Sequence, residues 1–218
     1  MISDIIILIM EWIGTISFAV SGSLVAIRCS LDLFGVATVG CITAVGGGVI
    51  RDVLLGNTPP KIFFNPLIFC VAVVTSVLVF IITDIHRRNF KKLSESIDVI
   101  NIFFDALGLA AFSITGVEIA CRSSYENNAL LAITLGVITG VGGGILRDVL
   151  VNEKPYVLTK HIYAVVSIVG CCFYYLVGFR AGLEVFATFF VIIFTVLIRI
   201  LAAKLHWRLP KIDLNEEQ

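Results

Sequence analysis

Apolar runs of about twenty residues, parted by short polar breaks, fill most of the chain. A helix needs about 20 apolar residues to cross the hydrocarbon of a bilayer. Runs near 5–27, 34–55, 62–83, 99–120, 129–151, 160–179 and 182–204 meet that length. The breaks carry turn chemistry: Asn57-Thr58-Pro59-Pro60, His86-Arg87-Arg88-Asn89, Ser123-Ser124, Asn152-Glu153-Lys154-Pro155 and Arg180-Ala181-Gly182. The pattern predicts an all-α integral membrane protein with seven transmembrane helices in a single membrane domain. A polar linker is expected at 84–98 and a polar tail at 205–218. The first run follows Asp4 with no Lys or Arg before it, and it is too long for a signal-peptide core. It reads as a retained span.

Composition narrows the function. Of 218 residues, 58% are hydrophobic and 15% charged, and the mean hydropathy is +1.02. A soluble domain carries about 25% charged residues, and sixteen acids with sixteen bases cannot clothe a soluble surface of this size. That argues against a soluble enzyme and a disordered chain, and the balanced charge argues against a nucleic-acid partner. No nucleophile sits beside a base in any motif, so no catalytic residue and no enzymatic activity are expected. His86, His161 and His206 lie far apart, and the six cysteines form no CxxC pair. Neither a metal site nor a cofactor is expected.

Charge asymmetry predicts orientation. Arg28, Arg87, Arg88, Lys91, Lys92, Lys154, Lys160, Lys204, Arg208 and Lys211 fall on one side of a seven-span chain. Lys61, Arg122 and Arg180 fall on the other. The excess puts the C-terminus in the cytoplasm and the N-terminus outside, in a multi-pass cell (inner) membrane protein. Trp12, Trp207, Tyr156 and Tyr163 lie near span ends, where aromatic belts form.

An internal repeat organises the chain. Gly46-Gly47-Gly48-Val49-Ile50-Arg51-Asp52-Val53-Leu54 recurs as Gly142-Gly143-Gly144-Ile145-Leu146-Arg147-Asp148-Val149-Leu150. Gly40, Ile42, Thr43 and Pro59 recur as Gly136, Ile138, Thr139 and Pro155, and Gly14, Phe18 and Gly22 as Gly108, Phe112 and Gly116. Repeat 1 covers about 5–83 and repeat 2 about 99–179, with the seventh helix outside both. Each repeat holds an odd number of spans, so the second enters the membrane from the opposite face. Inverted repeats place a permeant near the midplane, beside helices interrupted at matching positions.

The glycine triplets carry two readings. Each glycine costs a helix about 1 kcal/mol relative to alanine, so spans 2 and 5 are expected to be kinked there, with carbonyls freed towards a wet cavity. The same glycines form a small-xxx-small stripe, Gly40-Ala44-Gly48 and Gly136-Gly140-Gly144, that packs helices closely with no permeation. A base deep in a span costs about 2.5–3.5 kcal/mol, so Arg51 and Arg147 require partners. Adjacent Asp52 and Asp148 do not share the arginine's helix face. Arg51 is expected to find Asp148, Asp105, a carbonyl or water, and Arg147 to find Asp52, Glu11 or the same alternatives. Asp105, Glu118 and Glu11 read as facing headgroups, and Arg199 as snorkelling. The hydroxyls of Thr43 and Thr139 either line a polar path or bond back to their own helix.

The doubled GGGxxRD segment, on spans 2 and 5 of an inverted seven-span chain, resembles the prokaryotic branch of the trimeric intracellular cation (TRIC) channels. That family overlaps membrane proteins labelled uncharacterised or glycine transporters. The resemblance covers residues 5–204 and implies a homotrimer, each protomer with its own pore for potassium and other monovalent cations between the two kinked helices. Gly46, Gly47, Gly48, Gly142, Gly143 and Gly144 would be the kinks, and Arg51, Asp52, Arg147 and Asp148 the pore charges. Membrane lipid is a further expected partner. Animal members carry a basic regulatory tail, and a chain that stops at Gln218 is expected to lack one. The alternative is a secondary transporter or exporter of a small zwitterion such as glycine, its carboxylate held at a broken helix.

Overall fold

The computed structural model describes residues 2–86, 94–123, 127–159, 162–205 and 207. Seven helices are long and apolar enough to cross a membrane, and no strand occurs among the described residues. They are α1 (Ile2–Arg28), α2 (Leu33–Leu54), α3 (Pro66–Ile85), α4 (Ser94–Cys121), α5 (Ala129–Leu150), α6 (Ile162–Phe173), which reaches that length only with the stretch that continues it, and α7 (Glu184–Lys204). A π-helical stretch, Tyr174–Arg180, continues α6.

Local chemistry sets the ends. The Asp32 side chain accepts the Gly35 amide at the start of α2, and Asn128 accepts the Leu131 amide at the start of α5. Proline opens α3, where no amide is needed. Just beyond α2 and α5 stand Gly56 and Asn152, both at positive φ, so one left-handed residue stops each helix at matching positions.

Helices α1, α2, α4 and α5 pack into a central four-helix core. Helix α3 lies against α1 and α2, and α6 lies against α5 and α4. Helix α7 covers α4 and α6. The outer faces are apolar: Phe69 and Ile82 on α3, and Phe186, Phe189 and Ile193 on α7, are all exposed. A lipid-facing surface requires this. Inside, the four central helices meet through small residues, with Gly22 against Gly40 and Gly116 against Gly136 in the two halves.

Two expectations change. Helix α4 begins at Ser94, ahead of its apolar run, and Asp98 in that extension pairs with Arg28 at 2.6 Å. More consequentially, α2 and α5 remain α-helical throughout Gly46–Gly48 and Gly142–Gly144. The kinks expected there are not shown, and no unwound turn interrupts either helix. Close packing holds the glycines in register, as described below. The bases Arg87, Arg88, Lys91, Lys92, Lys160, Arg208 and Lys211, which carry most of the predicted orientation, lie outside the described residues, as do Ser124, His161, His206 and the tail from Pro210.

Candidate functional site

The three glycines of each triplet do different work. A Cβ on Gly47 would strike the backbone carbonyl of Thr139, and one on Gly143 would strike that of Thr43. Helices α2 and α5 therefore touch backbone to backbone, each middle glycine against the other helix. A Cβ on Gly46 would run into Leu146, and one on Gly142 would lie 3.3 Å from Ile50, its repeat counterpart. The third glycines make room along their own helix, and Gly144 also for the Tyr163 hydroxyl, 3.0 Å from where its Cβ would stand. Helical side chains lean towards the N-terminus, and the Arg51 and Arg147 guanidiniums lie 3.7 and 3.8 Å from where a Cβ of Gly48 or Gly144 would stand. Thr43 and Thr139 are fully buried and donate to Val39 and Leu135, the carbonyls one turn back. Over the crossing lie Phe18 and Phe112, ring centroids 5.3 Å apart, each set against the other repeat's glycine, Gly108 or Gly14.

The arginines find partners that simple helix geometry rejects. Arg51 Nε donates to Asp52 Oδ1 at 2.9 Å, and Arg147 Nε donates to Asp148 Oδ1 at 2.8 Å. Adjacent residues stand about 100° apart around a helix, yet arginine is long enough to swing its Nε sideways across that angle. The expectation that the neighbouring aspartate is out of reach is thus corrected. Each aspartate's second oxygen accepts the amide of the next short turn, Lys61 N at 3.0 Å and Tyr156 N at 2.8 Å. The Arg-Asp doublet is a staple between a buried cation and the following loop.

Around Arg147 a larger network closes. Its Nη1 donates to Asp105 Oδ1 and to Ser21 Oγ, both at 2.7 Å, and Ser21 donates to Asn101 Oδ1 at 2.8 Å. Arg199 on α7 donates from Nη2 to Asp105 Oδ2 at 3.0 Å and lies 4.4 Å over the Tyr163 ring. All six side chains are buried. Tyr156 lies 5.4 Å beneath the Arg147 guanidinium, and burial pushes its phenol up despite that cation, keeping it neutral. Arg147 Nη2, Tyr163 Oη and Arg199 Nε are buried with no hydrogen-bond partner among the described residues.

The repeat counterpart is sparser. Glu11 stands ninety-four positions before Asp105, matching the offset of the Phe18–Phe112 pair. It is half-buried in the field of Arg51, Asp52 and Lys61, with no ion pair or hydrogen bond among the described residues. Glu11 and Ser21 are ten residues apart on α1, about 15 Å along the axis at 1.5 Å per residue. The two charge clusters therefore sit at opposite ends of one bundle, with the glycine crossing between.

Several readings of single residues are corrected here. Asp105 does not face headgroups; it joins two buried arginines. Glu118 is buried, bonded to Arg122 at 3.0 Å and to the Tyr174 hydroxyl at 3.2 Å, while Arg122 also pairs with Asp4. Arg199 is buried rather than snorkelling, and Tyr163 is enclosed rather than part of a belt. Arg147 does take Asp105, one of its expected alternatives, whereas Arg51 takes neither Asp105 nor Asp148. Reasoning from sequence missed Arg199, Tyr163, Ser21 and Asn101 as members of the cluster. Arg199 alone carried a signal, a base in an apolar run with no acid one turn away. Among the described residues no group of three or more His, Cys, Asp or Glu is placed to hold a metal ion.

Comparison with known proteins gives the arrangement its relatives. A family model described as glycine transporter matches residues 8–84 and 102–179, one segment in each half. The UPF0126 inner membrane protein YadS of Escherichia coli (strain K12) is 40% identical over 211 residues, covering 95% of this chain and 96% of that one. The crystal structure of a prokaryotic TRIC channel in 0.5 M KCl superposes with a TM-score of 0.81 at 37% identity, covering 94% of this chain and 99% of the other. A TRIC trimeric intracellular cation channel orthologue from Rhodobacter sphaeroides gives 0.80 at 30% identity, covering 92% and 98%. With both halves matched by one family model and a relative aligned over 95% of the chain, this multi-pass membrane protein has the TRIC-channel fold and belongs to the family whose model is described as glycine transporter, together with the UPF0126 membrane proteins it matches.

Proposed function

We propose that the protein is a passive, non-enzymatic channel for monovalent cations, potassium among them, with one path in each protomer along the contact of α2 and α5. The observation that carries this reading is the pair of charge clusters at opposite depths, joined by a crossing of backbone rather than side chains. Buried charges in spans default to function, and here they lie end to end. Likeness to TRIC cation channels over more than nine-tenths of the chain supports the same reading. Backbone meets backbone at Gly47 and Gly143, and in this reading that contact is the gate, which Gly46, Gly48, Gly142 and Gly144 let slide. Arg51, Asp52, Arg147 and Asp148 are the charges that rearrange, and the Thr43 and Thr139 hydroxyls turn to the path when it opens. Carbonyls and hydroxyls form a weak field, so discrimination between potassium and sodium is modest. The working form is a homotrimer in the cell (inner) membrane, N-terminus outside and C-terminus cytoplasmic, with lipid around it and no cofactor.

Purified protein in planar bilayers is expected to give unitary current steps whose reversal potential follows the cation gradient. Saturating flux without resolvable steps would count against the channel. Chemical cross-linking in membranes should stop at trimers, and a ladder ending at dimers would remove the trimer.

A carrier of a small zwitterion is the second reading, favoured by the unpartnered Arg147 Nη2 and Tyr163 hydroxyl, both beside Gly144 and suited to a carboxylate. Radiolabelled glycine exchange in liposomes, lost in Arg147→Ala, would establish it in place of the channel.

A further inference from the structure

We propose that Arg199, on the helix outside the repeat, makes the two mouths of the path electrically unequal by neutralising Asp105, and so makes the conductance rectify. This rests on the channel reading above. In the first half one base, Arg51, answers two acids, Asp52 and Glu11. In the second half Arg147 answers Asp148 and Asp105 in the same repeat positions, and Arg199 adds a second base. Without Arg199, and with exposed Lys61 left aside, the two clusters would carry the same formal charge. Lys61 is also near the first cluster, but its side chain is exposed and screened by solvent and salt.

The asymmetry is built, not incidental. Arg199 is buried, its Nη2 lies 3.0 Å from Asp105 Oδ2, and its guanidinium is fixed over the ring of buried Tyr163 at 4.4 Å. The Asp105 carboxylate has both oxygens engaged, one by each arginine. Glu11, half-buried at the opposite mouth, has neither oxygen engaged among the described residues. A fixed charge in a narrow low-dielectric passage concentrates its counter-ion. Cations therefore gather at the Glu11 mouth and not at the Asp105 mouth. Arg199 acts through Asp105 as a positioning residue and need not touch the permeant ion.

Single channels recorded in symmetric potassium chloride at about 0.15 M, where exposed charges are screened beyond about 8 Å, test this. The wild type should pass unequal currents at equal and opposite voltages, in a ratio of about two or more. Arg199→Gln should bring the ratio to about one by raising the smaller current, because Asp105 then holds a net negative mouth. The double variant Arg199→Gln with Asp105→Asn restores a neutral mouth and should rectify again. That reversal separates charge from loosened packing. Glu11 lies outside the closed network, so Glu11→Gln supplies a variant whose folding is not at stake. It should also equalise the currents, by lowering the larger one. A folded Arg199→Gln channel that keeps the wild-type ratio overturns the proposal, and so does a wild type with equal currents. Should Arg199→Gln fail to assemble, Glu11→Gln decides: an unchanged ratio overturns the proposal and equal currents support it. Absence of any unitary current in wild type would instead remove the channel reading, and this inference with it.

Discussion

The two halves share a motif but not an environment. Around Arg147 every acid is bonded, five helices contribute and the side chains are sealed from solvent. Around Arg51 the same kind of doublet holds its own following turn, yet among the described residues the acid in the matching position stands unpaired and half-buried. Duplication fixes which residues meet, because Gly, Arg and Asp occupy the same places in both copies. What surrounds the repeat fixes how tightly they are held. Helix α7 belongs to neither copy, and its Arg199 is a principal source of the difference.

The comparison breaks hardest at its acids. Asp105→Ala leaves two buried arginines short of a partner, and removing one member of a buried ion pair costs about 3–5 kcal/mol. Glu11→Ala should cost less than about 1 kcal/mol, because no bond is lost. Thermal unfolding of the two variants in detergent measures the gap, and equal losses would mean the halves are equivalent after all.

Next come the middle glycines, where the halves should agree. Gly47→Ala and Gly143→Ala each push a methyl into a carbonyl that cannot move without its helix, and overpacking of this kind costs about 1–3 kcal/mol. A wild-type melting temperature in either would show that the crossing is loose.

The third glycines should then divide the halves again. Alanine at Gly48 meets nothing nearer than Arg51 Nη2 at 3.7 Å and should be tolerated, whereas at Gly144 it meets the Tyr163 hydroxyl at 3.0 Å. A measurable loss in Gly144→Ala alone would sharpen the comparison. The smallest effect belongs to Tyr163→Phe. It removes a buried hydroxyl with no partner among the described residues and should leave stability within about 0.5 kcal/mol. A larger loss would show that the hydroxyl is engaged.

Sequence alone carried most of the fold, for a physical reason. Span length is dictated by the bilayer, and the duplication repeats its glycines at fixed offsets, so seven helices and their inversion can be read from the letters. The site was legible only in outline. Glycine triplets are ambiguous between broken helix and close contact, and only the carbonyl of Thr139 lying against Gly47 decides between them. The doublet was misjudged because the rule for helix faces describes Cβ directions, and arginine reaches well beyond its Cβ. Asp105 and Arg199 lie 94 positions apart, and no periodicity links them.

The second oxygen of Asp52 and of Asp148 has one more implication. Each grips the amide of the turn that follows, so a deeply placed cation is mechanically tethered to a segment at the membrane boundary. Any swing of the arginine drags on that segment or releases it. A headgroup that seized the segment would in turn tug the charge inside. Communication between the bilayer surface and its interior then needs no long relay, since one carboxylate spans the distance.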